Sequence, residues 1–399
     1  KKISRARRRN RLAARPAKVA PVAIVTGPEK SPSVTLCLIT KDEEQFIEGC
    51  LQSVKGLCRQ VVVVDTGSDM TFSGTLSTGQ LTATNTGSGA LKVTSTGTVT
   101  GTTGDGINAE NSLGTTSLTV SAGAVTGAIY GIKAVNRGSG GATSVTATGT
   151  VTGSGDDGVF VRGFAATTST SVLTGAVNGA VRGISATSTG SGTMSVTSAG
   201  TVTGTTSHGI FVNGTSGTNV TVSAAAVSGG TYGLFAINGG SGFLSVTATG
   251  SVTGTSDDGL RATNSSTGTD VTVSAADTTG SASGLVASNF GTGTLNITST
   301  GQATGGAESG IAAFMDIGGD VTVSAVNADG GIDGISVIQT GLGNISVTVN
   351  GIVTGGTGHG IRTTDQAGTA STITLNSGAD VSSASGTAIS SNGVGNSTV

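Results

Sequence analysis

Asp105, Tyr130, Asp157, Arg182, His208, Tyr232, Asp258, Ser283, Ser309, Asp333 and His359 recur at intervals of 24 to 27 residues, each two positions before an aliphatic residue. Carboxylates, phenols, a guanidinium and imidazoles are the groups that acid–base chemistry and ligand recognition use. A column that varies between repeats is expected on an exposed surface, and binding is expected to reside there. Hydrolysis by paired carboxylates needs acids on neighbouring repeats. Here Arg182 follows Asp157, while Tyr232 and Ser283 flank Asp258. Asp156-Asp157 and Asp257-Asp258 are adjacent in sequence, so on a strand they would point to opposite faces. They read as turn residues. His208 and His359 are six repeats apart and cannot share a metal. The phosphate loop, His-Glu-x-x-His, Gly-x-Ser-x-Gly and the calcium nonapeptide are absent. No catalytic residue and no metal ligand is assigned.

Three aromatics suggest binding instead. Phe160, Phe211 and Phe235 each directly follow the aliphatic residue of their repeat. If the aliphatic side chain points inward, these point outward. Phe211 and Phe235 stand on consecutive repeats, which would bring their rings within about 5–7 Å. An outward aromatic pair on a Thr/Ser surface can stack on a sugar or seat a partner. The alternative is a patch covered by a loop.

The elements that position these residues are set by a repeat that fills residues 75–399. The phrase at Val93–Gly101 returns at Val145, Val196, Val246, Ile297 and Val347, at spacings of 50 to 52. A second phrase, at Val120–Gly127, returns midway between, at Val172, Val222, Val273 and Val323. The aliphatic landmark runs from Ile107 through Ile361 at spacings of 24 to 27, with Ile389 as a weaker last member. The unit is therefore one coil of about 25 residues. Stretches of period two indicate strands with one buried face. We expect a three-sided parallel β-helix (β-solenoid) of about 12 coils, right-handed by the general rule for parallel crossovers. The residue before the landmark is Gly in eleven of twelve coils. This implies either positive φ at a corner or backbone packed too closely for a Cβ. Asn111, Asn136, Asn238, Asn264 and Asn289, four residues after the landmark, are expected to form an amide ladder at a turn.

The 399 residues sum to a net charge of −2, but two unlike pieces cancel. Residues 1–70 hold 13 basic and 7 acidic groups; residues 71–399 hold 7 basic and 15 acidic. All four Pro and all three Cys lie before residue 70. Residues 1–32 read as a basic disordered tail and Pro-containing linker, with an anionic partner as its functional alternative. No apolar run with a cleavage site follows the basic start, so no signal peptide is read. No apolar stretch is long enough for a membrane-spanning helix.

Residues 33–70 read as a short βαβ fragment: a strand at Val34–Thr40, a helix beginning at Asp42 and stopped by Gly56, and a strand at Val61–Val64. The motifs Leu38-Ile39-Thr40-Lys41-Asp42-Glu43-Glu44 and Val62-Val63-Val64-Asp65-Thr66-Gly67-Ser68 resemble the N-terminal start of the family 2 (GT-A) glycosyltransferases. The resemblance implies a sugar nucleotide contacted by Thr40, Glu43 and Asp65. The likeness stops at Asp69-Met70, and no Asp-x-Asp metal motif follows.

Residues 75–399 resemble the repetitive β-helix passenger regions of bacterial autotransporter adhesins, through their Thr/Gly phrases, acidic balance and lack of Cys. That resemblance implies a structural or adhesive rod of a longer exported protein, at the cell surface or extracellular, with a glycan or host-surface partner. Without a signal peptide in this chain, a cytoplasmic place stays open. The last coil is expected to need a cap or partner over its edges. The favoured reading is non-enzymatic and without cofactor. The alternatives are a glycosyltransferase with an appended solenoid, which alone calls for a sugar nucleotide, and a polysaccharide-degrading β-helix.

Overall fold

The computed structural model describes residues 34–40, 58–65, 70–74, 80–368, 370–393 and 396–399. Among the described residues the regular elements are all strands, and every strand pair is parallel. Each coil contributes three strands in turn. In one early coil these are β4 (Gln80–Asn85), β5 (Leu91–Ser95) and β6 (Val99–Gly101). Repetition stacks them into three ladders, here named faces A, B and C. Twelve coils follow from β4 onward, ten with three separate strands and two in which one strand, Leu295–Gly305 or Val321–Gly330, runs through faces B and C; a further partial coil follows at Ile389–Gly393 and Asn396–Thr398. The β-solenoid expected from the repeat is thus the observed fold.

The alternation of the sequence is what makes each strand half-buried. On face A the pattern Ile-x-Val or Leu-x-Ala puts every second residue inside, as at Ile210–Gly214 and Leu234–Asn238. The landmark is one continuous column. Ile107 pairs with Ile132, then Val159, Ile184, Ile210, Leu234, Leu260 and Leu285, onward to Ile389. From Ile107 to Ile361 these residues are fully buried. The two sequence phrases prove to be one column of face B: Val93 pairs with Val120, Val120 with Val145, and Val145 with Val172. The core is a narrow stack of Val, Ile, Leu, Ala and Met, with Thr143, Thr170 and Thr278 also buried. Each fully buried Leu or Ile contributes about 1.5–3 kcal/mol by removal of apolar surface from water.

The glycine before the landmark is explained by crowding. Of the described glycines only Gly141 and Gly378 have positive φ. At Gly131, Gly183, Gly209 and Gly233 an added Cβ would lie 2.5–2.7 Å from the carbonyl oxygen of the same column in the next coil. The column is glycine because neighbouring backbones leave no space for a side chain.

The asparagines of this column are almost fully buried, and they bond from coil to coil in two separate pairs, since Gly163, Ser188 and Gly214 interrupt the column. Asn264 Nδ2 donates to Asn289 Oδ1 at 3.4 Å, and Asn111 Nδ2 to Asn136 Oδ1 at 3.2 Å. The same amides hold the turn between faces A and B. Asn238 Oδ1 accepts from the Gly240 N–H at 3.1 Å, and its Nδ2 donates to the Gly242 carbonyl at 2.9 Å.

Strand β1 (Val34–Thr40) pairs in parallel with β2 (Cys58–Asp65), the arrangement a βαβ unit requires. The helix expected from Asp42 to Gly56 lies outside the described residues. Strand β2 also pairs in parallel with β4, with Val61 opposite Leu81, and β3 (Met70–Gly74) pairs with β5. Strands β1 and β2 are therefore the first rungs of face A. Asp65 stands opposite Asn85 and so takes the register position of the turn-holding asparagine column.

Candidate functional site

The variable column two residues before the landmark lies at the corner between faces C and A. Its variation predicts exposure; instead it is buried or half-buried. Asp157, Asp258 and Asp333 are only 1–2% exposed. Each uses Oδ1 to accept the backbone N–H of the same column in the next coil: Arg182 at 3.0 Å, Ser283 at 3.0 Å and His359 at 2.7 Å. Asp105 does the same for Tyr130 at 3.3 Å. A guanidinium then neutralises three of these acids: Arg182 lies 3.7 Å from Asp157, Arg261 3.2 Å from Asp258 and Arg362 3.0 Å from Asp333. The corner turns the chain inward there, and a short acceptor is needed to satisfy the N–H of the next coil. Burial pushes the Asp157 carboxyl up to about 6, against the lowering effect of Arg182. These acids hold the corner.

The neighbouring acids behave differently. Asp156 and Asp257 are half-buried, and each lies beside the tyrosine of the preceding coil, Tyr130 and Tyr232 respectively, whose phenol it helps to raise. Burial, followed by the Asp156 interaction, pushes the Tyr130 phenol up to about 12. The two acids of each pair lie in the bend between faces C and A, as read from the sequence, with one turned into the corner and the other half-buried beside the tyrosine.

Phe211 and Phe235 sit on consecutive strands of face A with ring centroids 5.8 Å apart in an edge-on arrangement. Two further rings join them. Tyr232 lies 5.0 Å from Phe235, and His208 lies 5.3 Å from Phe211, 5.2 Å from Tyr232 and stacked at 5.8 Å on Phe235. Arg182 projects over Phe211 at 5.3 Å and Arg261 over Phe235 at 6.0 Å, both within cation–π range. Phe160 is not part of this group. Ser185 occupies its column on the intervening strand, and Phe160 packs against Tyr130 at 5.5 Å. Burial, reinforced by Arg182, lowers His208 to about 4, so its imidazole is neutral at neutral pH. Its Nδ1 lies 2.6 Å from the Ser207 hydroxyl.

Of the residues expected from the glycosyltransferase likeness, Thr40 and Asp65 are direct backbone partners at the ends of β1 and β2. Glu43 lies outside the described residues. Phe164 carries a second, smaller group, with Arg162 at 4.6 Å and Arg137 at 5.5 Å from its ring. Arg137 also pairs with Glu110 and helps line a shallow depression of about 350 Å³ beside Leu113. Among the described residues no three His, Cys, Asp or Glu side chains gather as a metal site, and no helix is long and apolar enough to cross a membrane.

Sequence reasoning does not join His208, Tyr232, Arg182 and Arg261 to the phenylalanines. A signal for it exists: a residue two before the landmark and one directly after it are three apart, with the corner glycine between. The chain there leaves the corner into strand, so both side chains emerge on the same side. No protein-family model, curated protein or solved structure matches the chain.

Proposed function

We propose that the solenoid is a non-enzymatic scaffold that presents face A to a glycan, as part of a bacterial cell-surface or secreted repeat protein. The observation that carries the reading is the His208, Phe211, Tyr232 and Phe235 cluster on two consecutive coils, edged by Arg182 and Arg261. Sugar rings offer C–H faces to aromatic rings and hydroxyls to carboxylates and guanidinium groups. This cluster supplies both kinds of partner side by side. The outward columns of face B are mostly Ser and Thr, as at Val220–Ala224 and Val271–Ala275, and offer no comparable platform.

The corner acids favour this reading over polysaccharide cleavage. Asp157 and Asp258 are committed to backbone N–H groups and to arginines, and they lie four coils apart on face A. A glycosyltransferase reading rests on Thr40 and Asp65 alone, and Asp65 shares its register with a turn-holding column.

The test is binding of the intact chain to a glycan array and to cells, compared with the Phe211→Ser, Phe235→Ser double variant. We expect at least about tenfold weaker binding, equivalent to about 1.4 kcal/mol, with the thermal transition retained. Undiminished binding by the double variant would remove the basis for the reading.

A further inference from the structure

Face A carries the same arrangement twice. Tyr130 and Tyr232 are 102 residues apart in the same column. Each lies beside the first acid of an Asp-Asp pair on the next coil, Asp156 or Asp257, which helps to raise its phenol. Each packs against a phenylalanine, Tyr130 on Phe160 of the next coil at 5.5 Å and Tyr232 on Phe235 of its own coil at 5.0 Å. In each, the second acid caps the following coil and pairs with an arginine, Asp157 with Arg182 and Asp258 with Arg261. The arginine comes from the following coil in the first case and from the acid's own coil in the second. Tyr130 and Tyr232 precede strands four rungs apart on face A, a separation of about 19 Å at the usual strand spacing. Between them, on the intervening coils, lie Arg182, His208 and Phe211, so the surface from one to the other is lined by recognition side chains.

The charge of this surface selects against polyanions. Four carboxylates, Asp156, Asp157, Asp257 and Asp258, face three guanidinium groups, Arg162, Arg182 and Arg261, and the imidazole between them is neutral at neutral pH, so the surface holds no excess of positive charge. Arg182 and Arg261 are already engaged by the buried acids, and Arg162 lies over the Phe164 ring. What remains for a ligand is aromatic faces and the free acceptor capacity of Asp156 and Asp257, which suits hydroxyl donors.

We infer that face A holds one neutral linear oligosaccharide lengthwise along the solenoid axis, gripped at both ends by the Tyr130/Asp156/Phe160 and Tyr232/Asp257/Phe235 clamps. This rests on the glycan reading above and adds a length, a direction and a charge class. A disaccharide reaches one clamp only. A hexasaccharide reaches both, and the second contact is then intramolecular, which raises affinity without new chemistry.

The experiment is calorimetric titration of the full chain with disaccharide-to-hexasaccharide series of β-1,4-linked glucose, β-1,4-linked N-acetylglucosamine and α-1,4-linked glucose, and with oligogalacturonides of matching length. The expected result is at least about tenfold tighter binding of a neutral hexasaccharide than of its disaccharide, with stoichiometry falling from two ligands per chain to one. Tyr130→Phe, which keeps the ring and the fold, is expected to lose most of that gain while the Tyr232 clamp still binds the disaccharide. Equal affinity at all lengths with retained binding would overturn the axial arrangement and leave the glycan reading standing. Tighter binding of the oligogalacturonides would overturn the charge class. Failure of every neutral series to bind would overturn this inference, and the glycan-array comparison would then decide the broader reading separately.

Discussion

A histidine in a ring of aromatics makes stability depend on pH in a defined direction. The folded-state value of His208 is about 4, against 6.5 for a free imidazole, with burial as the main cause. Between these values the unfolded chain binds the proton and the folded chain does not, so this residue's contribution falls as pH drops from about 6.5 to about 4. Asp157 acts the other way. Its value of about 6 lies above the ordinary 3.8, so the folded chain holds that proton more tightly, and its contribution falls as pH rises through that window. The two partly cancel in the wild type. A His208→Asn variant removes one of them. Its stability relative to wild type should improve by about 1–3 kcal/mol between pH 6.5 and 4, discounted for the half-exposure of the ring. Thermal melts of both proteins across that range check this, and a difference that does not vary with pH would contradict it. At this scale single columns are legible in the sequence, but their meeting is not. Phe211 and Phe235 are readable as neighbours because they hold the same place in consecutive coils. The corner acids are readable as turn residues, but their burial is not, because inward turning at a corner leaves no periodic mark.

The strands owe their register to two columns, one apolar and one without side chains. A Gly209→Ala change would put a Cβ 2.7 Å from the carbonyl oxygens of Gly233 and Ser228. It should cost about 1–3 kcal/mol or more, since a packed interior relaxes poorly around an added methyl group. Gly140 lies in a turn between faces A and B, where an added Cβ would meet no atom within 4 Å, and Gly140→Ala should be neutral or slightly stabilising. Denaturant unfolding of the pair separates crowding from a general dislike of alanine; equal losses would contradict the crowding account. The sequence leaves open whether the glycine column means positive φ or close approach, and the angles assign it to close approach. The two alternating phrases are readable as flavours of one coil, and they do share one column of face B. The role of β2 as a rung is not readable. Gln60 precedes Val61 where later coils have Gly, and the run Val61–Val64 lacks the alternation that marks the other strands.

In the solenoid as a whole, chemistry is concentrated on one face. Faces B and C turn mainly hydroxyls outward, whereas Tyr130, Phe160, Phe211, Tyr232, Phe235, Arg182 and Arg261 all lie on face A or at its corner. The fold is legible in the sequence because 25-residue periodicity and period-two strands admit few architectures. The site is legible only in part, because recognition surfaces here are assembled from single positions in different coils. The composition supplies a direct probe of that surface. The chain has no Trp and only two Tyr, and these are the two clamp residues Tyr130 and Tyr232. Tyrosine fluorescence of the intact chain therefore reports on face A alone. We predict a saturable change in that emission during titration with a glycan that binds, with the same midpoint as calorimetry. Saturable binding with unchanged tyrosine emission would contradict the placement of the ligand on face A.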